Sequence, residues 1–140
     1  MSPVHTLPVR IYYEDTDAAG IVYYPNYLRF AERARTEFLR DIGFDHIRLA
    51  REERMHFVVR SCGVDYLRPA RLDDALTVET HVSAIGGARL DLRQIVTRAA
   101  EILVKIDIRL ACVSADGRPV RLPGELRQQF ERLSKREEAV

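Results

Sequence analysis

Tyr12-Tyr13-Glu14-Asp15-Thr16-Asp17-Ala18-Ala19-Gly20-Ile21-Val22-Tyr23-Tyr24-Pro25-Asn26-Tyr27 decides the fold, because a strand signal, a turn signal and a helix signal meet in it. On its upstream side Val9, Ile11 and Tyr13 alternate with Arg10, Tyr12 and Glu14, the period of a half-buried strand. Asp15 to Gly20 then breaks the alternation with turn formers. Downstream, Asn26 is a candidate N-cap for a long helix over Tyr27–Ile42. There Tyr27, Phe30, Ala31, Ala34, Phe38 and Ile42 recur at spacings of three and four, and Gly43 supplies the stop. Ala31 and Ala34 are small enough to let the helix lie close to a sheet. Arg33 and Glu37 form an i,i+4 charge pair on its outer face.

Working outward, Ile47–Glu53 carries a weaker helical signal. His56–Leu67 and Leu76–Ile85 read as strands, the second ending at the hairpin signal Gly86-Gly87. A further strand covers Arg89 to Arg98. In the next, Val104, Ile106, Ile108 and Leu110 face one side and Lys105, Asp107 and Arg109 the other. Asp116-Gly117-Arg118-Pro119 is a turn. Pro123 opens a short amphipathic helix with Leu126, Phe130 and Leu133, and Ser134–Val140 is expected to fray. Strand, long helix, then four meandering antiparallel strands predict an α+β domain over residues 1–140, with a five-stranded antiparallel sheet, one long helix and a short C-terminal helix. One helix cannot cover such a sheet, so a partner subunit is expected.

The chain has 140 residues, 46% hydrophobic and 31% charged, a length and composition suited to one domain and unlike a disordered chain. Lys+Arg 22 against Asp+Glu 21 leaves +1, without the basic footprint of a nucleic-acid binder or of a protein drawn to anionic membranes. All basic residues but Lys105 and Lys135 are Arg, which suits bidentate anion contacts but also follows from genome composition. Cys62 and Cys112 are too few for a disulfide framework, and each lies in an apolar run where a small buried hydrophobe is expected. No metal-type spacing joins them to His5, His46, His56 or His81, so no metal is expected. The N-terminus lacks signal-peptide character, and no apolar run approaches the roughly 20 residues that span a bilayer. A soluble, cytoplasmic protein is expected.

Chemistry concentrates in the quoted stretch. Asp15 and Asp17 lie between a strand and a helix, and Gly20 permits a sharp bend or a close approach to a ligand. A helix start near Pro25 offers unpaired N–H groups and a positive dipole end, able to hold charge developing on a carbonyl oxygen. A facing carboxylate attacks the carbonyl carbon or activates a water. From spacing alone the turn-capping role of both aspartates comes first, since turns outnumber active sites.

The stretch Glu14 to Tyr23, followed by Tyr27 to Arg35, resembles the signature of the 4-hydroxybenzoyl-CoA thioesterase family, which has the hotdog fold. More narrowly, it is similar to the YbgC-type acyl-CoA thioesterases associated with the Tol-Pal envelope system. The likeness continues through Phe57–Arg60, Tyr66, Pro69–Asp74 and Leu122-Pro123. It implies hydrolysis of an acyl-CoA or acyl carrier protein thioester to acid and thiol by a homodimer or homotetramer, with no cofactor beyond the coenzyme A of the substrate.

Residue by residue, the resemblance makes Asp17 the catalytic carboxylate and the backbone N–H of Tyr24 the oxyanion donor. Gly20, Ile21, Val22, Tyr23 and Pro25 shape the pocket, and Val59, Arg60 and Ser61 come from a second subunit. Asp15 takes a structural role. Ala18-Ala19 stands where relatives favour Gly or Pro, which leaves the mechanism untouched. Arg89, Arg118 and Arg121 are candidates by position for the coenzyme A phosphates, against the reading of each as a solvated surface charge. A non-catalytic acyl-thioester-binding or envelope-complex protein is the alternative. A dehydratase would need a His beside the acid, and none accompanies Asp17.

Overall fold

In the computed structural model, which describes residues 3–139, the chain enters through β1 (His5–Arg10), makes one 3-10 turn at Tyr13–Asp15 and reaches α1 (Asn26–Asp41). The first strand lies earlier than the Val9–Glu14 alternation predicts. Ile11 is still buried, but the Asp15 carboxylate captures the Tyr12 N–H at 2.8 Å and rolls the chain into a turn that leaves Tyr13 82% exposed. α1 lacks the Asn26 cap. Pro25 is the N-cap residue, with φ −64° and no side-chain bond, while the Asn26 amide reaches back to Asp15. At the other end Gly43, at φ +91°, ends the helix as expected.

After α2 (His46–Glu52) come β2 (His56–Tyr66), β3 (Ala75–Ile85), β4 (Arg89–Arg98), β5 (Glu101–Val113) and α3 (Gly124–Ala139). The sheet order is β1-β3-β4-β5-β2, antiparallel throughout. The meander is therefore three strands long. β2 pairs with β5, not β3, and residues 67–74 carry the chain across the sheet to β3. α3 continues through Ser134 into the segment expected to fray, and Val140 lies outside the described residues.

α1 packs on β1 and β3 through Tyr27, Phe30, Ala31, Ala34 and Phe38, all buried, with the two alanines fully so. Burying each Phe contributes about 1.5–3 kcal/mol. Phe130 of α3 closes the core 6.0 Å from the Phe38 ring. One polar tether crosses it. Gln94 on β4 is fully buried, donates to Ala31 O at 3.0 Å and Thr80 Oγ1 at 3.1 Å, and accepts from Arg35 Nη1 at 3.0 Å. On the outer side of α1, Glu37 pairs with Arg40 and not Arg33, whose guanidinium lies 6.0 Å from the Phe30 ring.

The sheet's two edges differ. β1 is short, contains Pro8 and lies under α1. β2 spans 11 residues and is exposed along most of its length, because it pairs only with β5. Its apolar run therefore does not bury Cys62, which is exposed, whereas Cys112 is buried as expected. Among the described residues no helix is long and apolar enough to cross a membrane.

Candidate active site

Asp15 and Asp17 both cap turns, as their spacing suggests, but only Asp17 keeps one carboxylate oxygen open. Asp15 closes the loop. Its Oδ2 accepts the Tyr12 N–H at 2.8 Å, its main-chain oxygen accepts the Tyr23 N–H at 2.9 Å, and the Asn26 amide donates to Oδ1 at 3.3 Å. Asp17 stays available. The Thr16–Val22 bridge sets it across from Ile21, whose carbonyl accepts the Asp17 N–H at 2.9 Å. Gly20 closes this tight loop at φ +79°, a conformation that side chains disfavour. The Asp17 side chain is exposed. Its Oδ1 accepts the Ala19 N–H at 2.9 Å, and Oδ2 has no protein donor among the described residues.

The start of α1 adds a second available group. The amides of Tyr23, Asn26, Tyr27 and Leu28 donate to Asp15 O, Tyr23 O, Tyr24 O and Pro25 O respectively. Pro25 has no N–H to give. Between them, the Tyr24 N–H is left without a backbone acceptor among the described residues.

Residues 67–74 brace this loop from behind. Val22 N–H donates to Ala70 O at 2.9 Å, Ala70 N–H to the Tyr27 hydroxyl at 2.9 Å, and Ile21 bridges to Arg71. Tyr27 is core, and burial raises its hydroxyl pKa. Asp74 fastens the brace. Desolvation opposes its ionisation, but the Arg71 N–H and the Arg98 guanidinium, each at 2.8 Å, hold its carboxyl below the ordinary range. Between brace and helix start lies a groove of about 290 Å3, lined by Ile21, Val22, Tyr24, Tyr27, Tyr66 and Leu67, with Arg68 and Pro69 completing it.

Gly20, Ile21, Val22, Tyr23, Tyr24 and Pro25 thus share one loop with Asp17. Val59, Arg60 and Ser61 do not join them within the chain. They sit on β2, where Arg60 is the unpaired residue of a bulge between Val59 and Ser61. Val59 instead lines a cavity of about 390 Å3 beside the later turns of α1, with Arg35, Phe57, Leu92 and Leu110. Arg89 lies beside Gly86 and pairs with Asp91 at 3.5 Å, Arg121 lies beside Gly87, and Arg118 stands apart on its turn beside Asp116 at 3.4 Å. Tyr66 is not legible as a site residue from its strand pattern. Alternation places it on β2 but cannot show that its hydroxyl reaches Tyr24 O at 3.3 Å.

Residues 12–130 match the family model of the thioesterase-like superfamily. The chain is 44% identical over 129 residues to the acyl-CoA thioesterase YbgC of Haemophilus influenzae, covering 91% of this chain and 95% of that protein. It superposes on a probable thioesterase from Bartonella henselae with a TM-score of 0.83 at 40% identity, covering 85% of this chain and 98% of the other. It also superposes on a thioesterase from Thermus thermophilus complexed with coenzyme A and Zn, with a TM-score of 0.84 at 28% identity and 96% of each chain covered. A five-stranded antiparallel sheet beside a long helix is how this chain carries the family's architecture: it belongs to the thioesterase-like superfamily, has the hotdog fold and is a thioester hydrolase.

Proposed function

We propose that the protein hydrolyses acyl-CoA thioesters to free acid and coenzyme A at the loop carrying Asp17 and Tyr24. The observation that carries the reading is the pairing of a carboxylate oxygen without a donor and an amide without an acceptor on one short loop. The Tyr24 N–H receives the charge that develops on the thioester oxygen, aided by the positive end of α1. Asp17 either attacks the carbonyl carbon, forming a mixed anhydride that water then opens, or takes a proton from a water whose oxygen forms the new C–O bond. In both routes the C–S bond breaks and the thiolate leaves with a proton, so no cofactor is needed. The curated Haemophilus relative's acyl-CoA activity and the coenzyme A held by the Thermus neighbour support this choice of thiol.

The working unit is a homo-oligomer built on β2. An 11-residue strand, open along most of its length and with Val58 and Val59 facing solvent, forms an edge ready to pair with another copy. Antiparallel β2–β2 pairing would bring Val59–Ser61 of one protomer toward the other's Asp17 loop. Arg89 and Arg121 at the hairpin, with Arg118 beyond, would meet the coenzyme A phosphates.

Thiol release across acyl-CoAs of varied chain length tests the reading. The wild type is expected to release thiol and Asp17→Asn to release almost none, with fold and assembly unchanged. Full turnover by Asp17→Asn would remove Asp17 from the chemistry. Tight acyl-CoA binding without turnover in either protein would favour the acyl-thioester-binding alternative.

A further inference from the structure

Two apolar spaces flank α1, and within one protomer they share no lining residue. Tyr24, Tyr27 and Tyr66 wall the groove of about 290 Å3, whereas Phe57, Val58 and Val59 wall the cavity of about 390 Å3. β2 contributes to both, with Phe57 near its start and Tyr66 at its end. An odd number of steps separates these two residues, so on a regular strand their side chains would take opposite faces. The bulge at Arg60 cancels the difference. Phe57 pairs with Cys112 and Tyr66 with Val104, and both partners are fully buried in the core under α1. Groove and cavity therefore adjoin one face of one edge strand.

That edge carries exposed Val58 and Val59 at the side of the cavity. Pairing the whole of β2 with its own copy, about a twofold axis at its midpoint Ser61, sets Tyr66 of one protomer opposite His56 of the other. Phe57 is then a neighbour across strands about 4.8 Å apart, and it projects to the same face. The groove of each protomer so meets the cavity of the other.

We propose that groove and cavity join into one channel across the β2–β2 interface, with the thioester at the Asp17 loop of one protomer and a linear aliphatic acyl tail in the cavity of the other, floored by Leu92 and Leu110. The inference rests on the acyl-CoA thioesterase reading and deepens it by naming the substrate class. A short acyl group ends within the groove, and a longer one gains the aliphatic floor beyond it.

The experiment measures thiol release from butyryl-, hexanoyl- and octanoyl-CoA, with melting curves for every variant. In the wild type kcat/KM is expected to rise about three- to fourfold for each added methylene. Thr36 lines the cavity from α1, half-buried, with its hydroxyl on His46 at 3.1 Å, so Thr36→Phe fills the space without altering the floor. It should lower the octanoyl-to-butyryl ratio of kcat/KM at least about tenfold, and Thr36→Leu is the smaller filling should the Phe variant fail to fold. Co-expression of Asp17→Asn with Thr36→Phe then tells whose cavity is used. In a mixed dimer the Asp17 of one protomer meets the open cavity of the other, and half of randomly assembled dimers are mixed. Octanoyl-CoA hydrolysis is expected to return to about a quarter of the wild-type rate. A wild-type kcat/KM that does not rise with chain length, an unaltered ratio in folded Thr36 variants, or no recovery in the mixed assembly overturns the shared channel, while Asp17→Asn inactivity leaves the enzyme reading intact. A wild type that releases no thiol from any of these substrates overturns both.

Discussion

Beside the first turn of α1 lies a groove of about 290 Å3, and beside its later turns a larger cavity of about 390 Å3. The larger one is floored by Phe57, Leu90, Leu92 and Leu110. Of the polar side chains around it, Thr36 bonds to His46 and Arg35 to Gln94, while the Glu32 carboxylate is exposed with no hydrogen-bond partner among the described residues. Gln94 uses both ends of its amide, and Arg35, whose pKa desolvation lowers, is tied to it. The smaller groove adjoins a loop on which one carboxylate oxygen and one amide hydrogen answer to nothing among the described residues. Apolar room is available wherever one helix covers five strands. What sets the smaller groove apart is an exposed carboxylate and a helix-start amide on one adjoining loop.

The contrast breaks if the wrong end of α1 controls turnover. Asp17→Asn gives the largest expected effect, a loss of about 10²–10⁴-fold in kcat with an unchanged unfolding midpoint. Gln94→Leu is its mirror image. It strips Arg35 Nη1, Ala31 O and Thr80 Oγ1 of a partner in the core, and urea unfolding should show about 1–3 kcal/mol lost. Its kcat stays close to that of wild type. If Gln94→Leu instead abolished turnover at full stability, the later turns of α1 would hold the chemistry.

How far these assignments are readable from sequence follows from what each signal encodes. β3 and β4 lie close to their expected bounds and β5 carries the expected alternation from Val104 to Leu110, because period-two alternation records directly which side chains face the core. Alternation says nothing of which strand lies beside which, so the placement of β2 against β5 stays hidden, and with it the exposure of Cys62. β1 ends short of its expected place because a side-chain bond from Asp15 to the Tyr12 amide outcompetes a hydrophobic alternation that runs on to Tyr13. The same bond separates Asp15 from Asp17. Both read as turn aspartates and both cap turns, and only the hydrogen bonds show that Asp15 uses both oxygens and Asp17 one. The helix cap shows the reverse confusion, an Asn at the right place serving the loop and not the helix.

The exposed edge carries the next expectation. Val59→Arg puts a charge beside its own copy at a β2–β2 pairing, and light scattering should show the assembly falling to monomers. Turnover should fall with it, since Val59–Ser61 would no longer reach the opposite Asp17 loop. An intact assembly would place the interface elsewhere.

Acid gives the smallest effect and the finest test of the brace behind the groove. Asp74 has an ordinary carboxyl value of 3.8 and is held lower in the fold by Arg71 and Arg98. Its folded pKa is depressed, so around and below that value the unfolded chain binds more protons than the native one, and stability rises with pH across the window. The contribution is present above about pH 4 and is lost as pH falls through the lower, folded value. Asp74→Asn removes the charge at every pH, and its urea midpoint should therefore lie below wild type near neutrality and converge with it as pH falls through the depressed, folded value. Residues 70 and 71 hold Val22 and Ile21, so loosening Asp74 should also blunt turnover near neutrality, less than any change at Asp17. Parallel midpoints at every pH would show that Asp74 braces the loop by shape and not by charge.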